Sequence, residues 1–179
     1  MTPPVYLTNQ LVDFADGGNV FAFAFLDVNG NASITTSTLT DGVHNITAIY
    51  GGNEGFLFSI SPVLTQVVMH SGAASSSNTL LTPTPQTFFR QSANFNVLTP
   101  GSGGISPTGN VILLEGNRQL GPLLTLNSGP SGLPSYCSYR TPLPVGTHQV
   151  RAVYLGDGNF NGSVSSVQVV NTSPRPKPR

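Results

Sequence analysis

The chain has 179 residues, of which 8% are charged and 38% are hydrophobic, and its formal net charge at pH 7 is zero. This length suits two domains of ordinary size, and the hydrophobic content is too high for a disordered chain. The single cysteine, Cys137, excludes an internal disulfide and a metal site built from cysteines. Frequent Gly and Pro, sparse charge and the lack of helical periodicity predict an all-β fold.

The charges are divided unevenly along the chain. Residues 1–78 contain five acidic residues and no Lys or Arg, whereas residues 79–179 contain seven basic and two acidic residues. The basic residues are scattered, so we expect no nucleic-acid binding. The longest apolar run, Phe21–Leu26, has six residues, so we expect no membrane insertion. The first ten residues lack the basic and apolar regions of a signal peptide.

The first part of the chain, residues 1–69, predicts a module that lacks its opening strands. Its alternating and apolar segments predict strands at Val12–Gly18, Phe21–Leu26, Ala32–Thr36, His44–Tyr50 and Ser59–Val68. The ten or so residues before Val12 are too few for two further strands. We therefore expect one sandwich face to be uncovered, unless Val5–Leu7 or a partner chain covers it.

Residues 70–77 are small and polar, which predicts a flexible linker in which His70 is solvated. Residues 78–171 then predict a complete β-sandwich of about seven strands. These are Asn78–Phe89 (an edge strand interrupted by Pro), Gln91–Leu98, Val111–Leu114, Leu120–Leu126, Pro134–Arg140, His148–Tyr154 and Ser163–Val170. Residues 172–179 are rich in Pro and charge, which predicts a disordered tail.

One segment is repeated within the chain. Leu39–Val63 and Leu143–Val167 align without a gap, and ten of the 25 pairs are identical. The repeated positions are apolar or turn-forming, which indicates that a scaffold has been duplicated. The pairs to which we assign a structural role are Gly42/Gly146, His44/His148, Tyr50/Tyr154 and Phe56/Phe160.

The paired histidines are the obvious catalytic candidates, but their setting favours a structural role. Each follows a corner glycine by two residues, where a ring nitrogen can bond to the backbone of the corner. No serine elbow, paired carboxylate or consistent acid accompanies both histidines in the sequence, and a catalytic triad needs a base and an orienting acid together. We expect Tyr50, Tyr154, Phe56 and Phe160 to face the core with Val150, Ala152, Val164 and their counterparts.

Two binding features remain as alternatives. The segment Asp157–Asn161 has oxygen-bearing side chains at calcium-like spacing, but it has too few acids for a calcium loop, and a turn closed by Asp with Phe160 as a plug is favoured. Tyr6, Tyr136 and Tyr139 would form a sugar-binding patch if all were exposed, although packing is the more usual role of strand tyrosines. We expect no metal and no cofactor.

Three strings carry a family resemblance: PTGNVILLEGNRQLG, LPVGTHQVRAVYLGDGNFNGSVS and LTDGVHNITAIYGGNEGFLFSISPVLTQVV. They resemble the bacterial immunoglobulin-like (Ig-like) repeat domains of the Big group, over residues 78–171 in full and residues 11–69 in part. The resemblance implies two tandem Ig-like β-sandwich domains, the first incomplete. It also implies a non-catalytic spacer or adhesion segment of a bacterial cell-surface or secreted protein. The partners would be neighbouring repeats of the same protein. A glycan- or protein-binding module that uses sandwich-end loops or a strand edge is the alternative.

Overall fold

The protein is described by a computed structural model that covers residues 9–72, 79–88 and 90–175. Fifteen strands and no helix are found in this part of the chain, so the predicted all-β fold class is confirmed. The chain divides into two compact units, residues 1–68 and residues 69–179, which we call module 1 and module 2.

The described residues of module 1 form a single antiparallel sheet. Its strands are β1 (Leu11–Asp16), β2 (Asn19–Phe25), β3 (Gly42–Tyr50), β4 (Ser59–Ile60) and β5 (Leu64–Val68). The order is β2-β1-β3, and both β4 and β5 pair with β3. The β1–β2 hairpin closes through Gly17 and Gly18, which have φ angles of 55° and 90°. A two-residue hairpin turn of this kind needs positive φ at both positions, which glycine adopts without strain.

The predicted strand Ala32–Thr36 is wrong, because residues 32–40 belong to no ladder. The corresponding strand of module 2 pairs along its whole length with a strand that opens that module. Module 1 has no such strand among its described residues. A segment with strand-like sequence is therefore irregular where the described part of the module offers it no strand to pair with.

The inner face of the module 1 sheet is poorly buried. Only Val12, Ala15 and His44 are buried among the described residues of module 1. Phe56 is 40% exposed and Ile60 is 56% exposed, so the expectation that the module 1 counterparts lie inside is wrong for them. For Phe56 the reason is that no second sheet is present among the described residues of module 1, since a β-sheet buries its apolar face only against another layer. Ile60 pairs with Ile49, as Val164 pairs with Val153 in module 2, so it points to the opposite face of the sheet from Tyr50.

Module 2 is a two-sheet sandwich. The larger sheet has the order β10-β9-β13-β15-β7, with β11 paired to β9 and β14 paired to β13, and the smaller sheet has the order β12-β8-β6. The bounds are β6 (Leu80–Pro83), β7 (Gln86–Phe88), β8 (Ser92–Thr99), β9 (Asn110–Glu115), β10 (Arg118–Gln119), β11 (Leu124–Thr125), β12 (Ser135–Pro142), β13 (Gly146–Tyr154), β14 (Ser163–Val164) and β15 (Gln168–Ser173). All pairs are antiparallel except β7 with β15.

The core of module 2 lies between β8 and β13. Its largest fully buried members include Tyr154, Phe95, Phe160, Val97 and Val150. Alternation along β13 places Val150 and Tyr154 on one face, as the sequence predicts. Val164 is 43% exposed, so its predicted place in the core is wrong. It pairs with Val153, whose side chain points to the opposite face of the sheet from that of Tyr154.

Three boundaries differ from the sequence expectation. The segment Asn78–Phe89 is two short strands in different sheets, because Pro83 and Pro85 cannot donate ladder hydrogen bonds. Strand β15 continues to Ser173 and buries Thr172, so the predicted tail does not start at residue 172. His70, which was expected to lie in a flexible linker, is half-buried, and its backbone bonds to Leu155 and Gly162. Residues 73–78 and 176–179 lie outside the described part of the chain.

Candidate functional site

The histidine corner of module 2 ties one strand end to the adjacent turn. His148 Nε2 lies 2.9 Å from the Pro144 carbonyl oxygen, four residues earlier, and its Nδ1 lies 2.5 Å from Glu115 Oε1. The ring is 7% exposed. Gly146, at the corner, has a φ angle of 148°, which other residues rarely adopt. The glycine shapes the corner and the imidazole links the corner to strand β9.

Module 1 contains the same arrangement. His44 Nε2 lies 2.8 Å from the Thr40 carbonyl oxygen and Nδ1 lies 2.6 Å from Asp16 Oδ2. Gly42 has a φ angle of 147°. Asp16 also accepts a bond from the Asn45 amide at 2.9 Å. The two modules therefore build the corner with the same three parts: a glycine, a histidine and an acid.

The expectation that no consistent acid lies beside both histidines is wrong, because each corner contains one. Asp16 and Glu115 are each the last residue of the strand next to the histidine strand. The signal was present in the sequence, because both acids precede a tight turn after a short apolar strand. It was missed because the acids lie 28 and 33 residues from their histidines.

The electrostatics of the module 1 corner favour a charged His44–Asp16 pair. The hydrogen bond to Asp16 raises the pKa of His44, and the same bond lowers the pKa of Asp16. Burial opposes ionisation of Glu115, but bonds from His148 and Arg118 outweigh it and hold the pKa of Glu115 below its ordinary value. The Arg118 guanidinium lies 2.6 Å from Glu115 Oε2.

This geometry stabilises the fold and does not suit general-base catalysis. Both nitrogens of each ring face acceptors, a carboxylate on one side and a carbonyl on the other. A general base needs one ring nitrogen free to take a proton from a nucleophile. The thiol of Cys137 is buried, and burial raises its pKa to about 11, so it is not a ready nucleophile.

A paired serine is a structural residue that the sequence analysis did not identify. Ser165 Oγ accepts the Ala152 amide at 2.9 Å, and Ser61 Oγ accepts the Ala48 amide at 2.9 Å. Each hydroxyl takes the place of a backbone acceptor at a break in the neighbouring strand. The break lies between β14 and β15 beside β13, and between β4 and β5 beside β3. The identity of the two serines in the repeat was the available signal.

The turns that were candidates for calcium binding are closed by their own side chains. Asp157 Oδ1 accepts the Asn159 and Phe160 amides at 2.7 and 2.8 Å, and its Oδ2 accepts the Thr108 amide and hydroxyl at 2.8 and 2.7 Å. In module 1, Asn53 Oδ1 accepts two amides in the same way. No group of three potential metal ligands was found in the described residues.

The tyrosines that the sequence analysis singled out differ in how deeply they are buried. Tyr154 is fully buried, whereas Tyr50 is half-buried. Tyr136 is 56% exposed, but Tyr139 packs against the core of module 2 from the other face of β12. These two tyrosines therefore do not form one exposed patch, and Tyr6 lies outside the described residues.

Two copies of one glycine–histidine–acid corner, the second in a complete two-sheet sandwich, define an immunoglobulin-like scaffold. The family model "Bacterial Ig-like domain (group 3)" matches residues 3–69 and 74–173, and the chain belongs to this family of Ig-like structural modules. A comparison with curated proteins gave no match. Within residues 9–72, 79–88 and 90–175, no helix is long and apolar enough to cross a membrane.

Proposed function

We propose that the chain is a non-catalytic spacer and adhesion segment of a bacterial cell-surface or secreted protein, and that it works next to further Ig-like repeats. The family membership supports this proposal. The corner geometry adds to it, because the paired histidines serve the scaffold. The observation that carries it furthest is the path of the chain through module 2.

The chain enters and leaves module 2 at opposite ends of its strands. Thr79 bonds to Ser163 at 2.7 Å, beside the turn that follows β13. Thr172 pairs with Gly146, at the start of β13. Since β13 has nine residues, these two points are separated by about 30 Å along the strands. Each module of this kind therefore adds length to a tandem array.

The pairing of β7, near the start of module 2, with its last strand β15 also suits a load-bearing role. Strand β7 runs parallel to β15, with Gln86 opposite Asn171 and Phe88 opposite Ser173. Tension on the chain pulls β7 and β15 in opposite directions, so their ladder is loaded in shear. The buried Thr87 and Thr172 hydroxyls add a bond of 2.9 Å between the same strands.

Single-molecule force spectroscopy on the full chain tests this proposal. Residues 79–173 should unfold in one discrete event that lengthens the chain by roughly 300 Å, since each extended residue spans at most about 3.6 Å. Thr87→Val should lower the unfolding force. Thr147→Val, which alters an exposed hydroxyl on the other side of β15, should leave it unchanged. Gradual extension without a discrete event would contradict a load-bearing spacer.

A second candidate function, protein binding, is favoured by the apolar sheet face of module 1, over which the described residues place no second sheet. A glycan is a weaker candidate, because Tyr136 and Tyr139 lie on opposite faces of β12. A glycan array and sedimentation at several concentrations separate these alternatives. A monomer that binds no glycan and no protein would leave the spacer function alone.

A further inference from the structure

Module 2 has a small pocket on the outer face of its larger sheet, with a volume of about 180 Å³. Two side chains of β13, the turn between β9 and β10 and the residue before β15 line it, namely Gln149, Arg151, Gly116, Asn117 and Val167. Because Val150 and Ala152 face the core, alternation along β13 places its two pocket residues on the opposite face. The pocket is therefore separate from the sandwich core and from the histidine corner.

Arg151 brings an unpaired positive charge into this pocket. Its Nε atom is buried from solvent and has no hydrogen-bond partner among the described residues. The residue opposite it on β9 is Leu114, whose side chain cannot accept a hydrogen bond. A buried polar group without a partner costs free energy, and the cost is larger for a charged group. A ligand with suitable acceptor atoms would remove this cost.

The acidic side chains of module 2 are already committed elsewhere. Glu115 and Asp157 are the only two acidic residues of this module. Glu115 accepts a bond on each of its oxygens, one from His148 and one from Arg118. Asp157 accepts two bonds on each of its oxygens. No carboxylate side chain of module 2 is therefore available to Arg151.

The polar groups of the pocket fit a carboxylate. A guanidinium presents parallel N–H donors that match the two oxygens of a planar carboxylate. The side-chain amides of Asn117 and Gln149 can each donate a further hydrogen bond. Arg118, next to Asn117 in the chain, is paired with Glu115 at 2.6 Å, so the lining supplies one free positive charge. One charge suits a carboxylate better than a phosphate group, which carries nearly two negative charges at pH 7.

We propose that this pocket binds a carboxylate group, held by the Arg151 guanidinium and by the amides of Asn117 and Gln149. The pocket volume lies below the range of about 300–1,000 Å³ that is typical of sites for larger ligands, which suits a single functional group. The carboxylate belongs either to a small free acid or to an acidic side chain of another protein molecule. The site goes beyond the spacer function, which would stand without it.

An NMR titration of the full chain with sodium acetate tests the proposal through the Nε–H resonances of its arginines. The Arg151 resonance should shift and saturate, with half-saturation at about 10 mM or below. Arg140, an exposed arginine on β12 of the other sheet, is the internal control, and its resonance should respond no more to acetate than to chloride. Equal responses of the two arginines would mean an adventitious ion only and would overturn the proposal.

Two blocked tripeptides identify the source of the carboxylate. Gly-Asp-Gly, acetylated and amidated at its ends, carries one acidic side chain, and Gly-Asn-Gly replaces this side chain with a neutral amide of the same shape. If the Asp peptide binds at least tenfold more tightly than acetate, the site takes an acidic protein side chain. If acetate binds as tightly as the Asp peptide, the site takes a small free acid. Binding of the Asn peptide as tightly as the Asp peptide would contradict recognition of a carboxylate.

Two variants with an added acid locate the site. Asn117→Asp places a carboxylate in the exposed turn that lines the pocket, and Ser138→Asp adds the same charge at an exposed position of β12. Asn117→Asp should weaken acetate binding at least tenfold and move the Arg151 resonance toward its acetate-bound position, whereas Ser138→Asp should do neither. Urea unfolding of module 2 checks that both variants fold. Equal effects of the two variants would refute the assigned pocket.

Discussion

Phe160→Ala and Phe56→Ala make the same change at two equivalent positions of the repeat. Phe160 is fully buried at the end of the module 2 sandwich, and Phe56 is 40% exposed. Loss of a buried Phe forfeits about 1.5–3 kcal/mol of transfer free energy, and the cavity raises the total to about 3–5 kcal/mol. At Phe56 only part of the ring is buried and no closed cavity forms, so we expect about 1–2 kcal/mol.

Scanning calorimetry of the full chain measures this difference. A cost of about 3–5 kcal/mol should lower the unfolding temperature of module 2 by about 12–20 °C, at about 4 °C per kcal/mol for a domain of this size. A domain of the size of module 1 loses more degrees per kcal/mol, so the two variants are compared by the unfolding free energy that calorimetry gives and not by the unfolding temperature alone. Phe56→Ala should reduce the unfolding free energy of module 1 by only about 1–2 kcal/mol. Equal losses of unfolding free energy in the two variants would refute the claim that Phe160 lies in a closed core and Phe56 does not.

Three further predictions concern the corner and the strand break. The stability of module 1 should be highest between about pH 4 and 6.5, and urea unfolding from pH 3 to 9 measures it. The raised pKa of His44 gives stability that is lost as the pH rises above the ordinary value of 6.5. The lowered pKa of Asp16 gives stability that is lost as the pH falls below the ordinary value of 3.8. Gly146→Ala should cost about 1–2 kcal/mol from backbone strain alone, since the added Cβ meets no atom within 4 Å. Ser165→Ala should cost about 1–3 kcal/mol by leaving the buried Ala152 amide unpaired. Urea unfolding of module 2 measures both costs.

Each of these predictions has a control. Gly158→Ala is also free of contacts within 4 Å but lacks a positive φ angle, so it should cost far less than Gly146→Ala. Ser166→Ala removes an exposed hydroxyl next to Ser165 and should change stability little. His44→Gln should remove the loss of stability above pH 6.5. If that loss persists in His44→Gln, the His44–Asp16 pair is not its cause.

The sequence alone predicted the parts of the fold that depend on local pattern. The alternation of Val150, Ala152 and Tyr154 marked the buried face of β13, and the Gly-x-His spacing marked the corner. Both signals come from residues within a few positions of each other, where strand and turn geometry act directly.

The features that the sequence did not predict depend on distant partners. Residues 32–36 have a strand-like sequence but form no strand, and the described residues of module 1 contain no counterpart of β8 to pair with them. Phe56 matches Phe160 in the repeat, but its burial depends on a second sheet. The acids beside the histidines became visible only when the strands placed Asp16 and Glu115 next to them.

Hydrogen exchange at two matched amides tests the central claim most directly. Ala48 and Ala152 occupy the same position in the repeat, and each amide donates to a serine hydroxyl at 2.9 Å. The two amides differ in that a second sheet lies over Ala152, whereas none lies over Ala48 in the part of module 1 that the structure describes. We expect the Ala152 amide of the full chain to exchange at least 100-fold more slowly than the Ala48 amide. Equal exchange rates at these two amides would contradict the account of one covered and one uncovered Ig-like module.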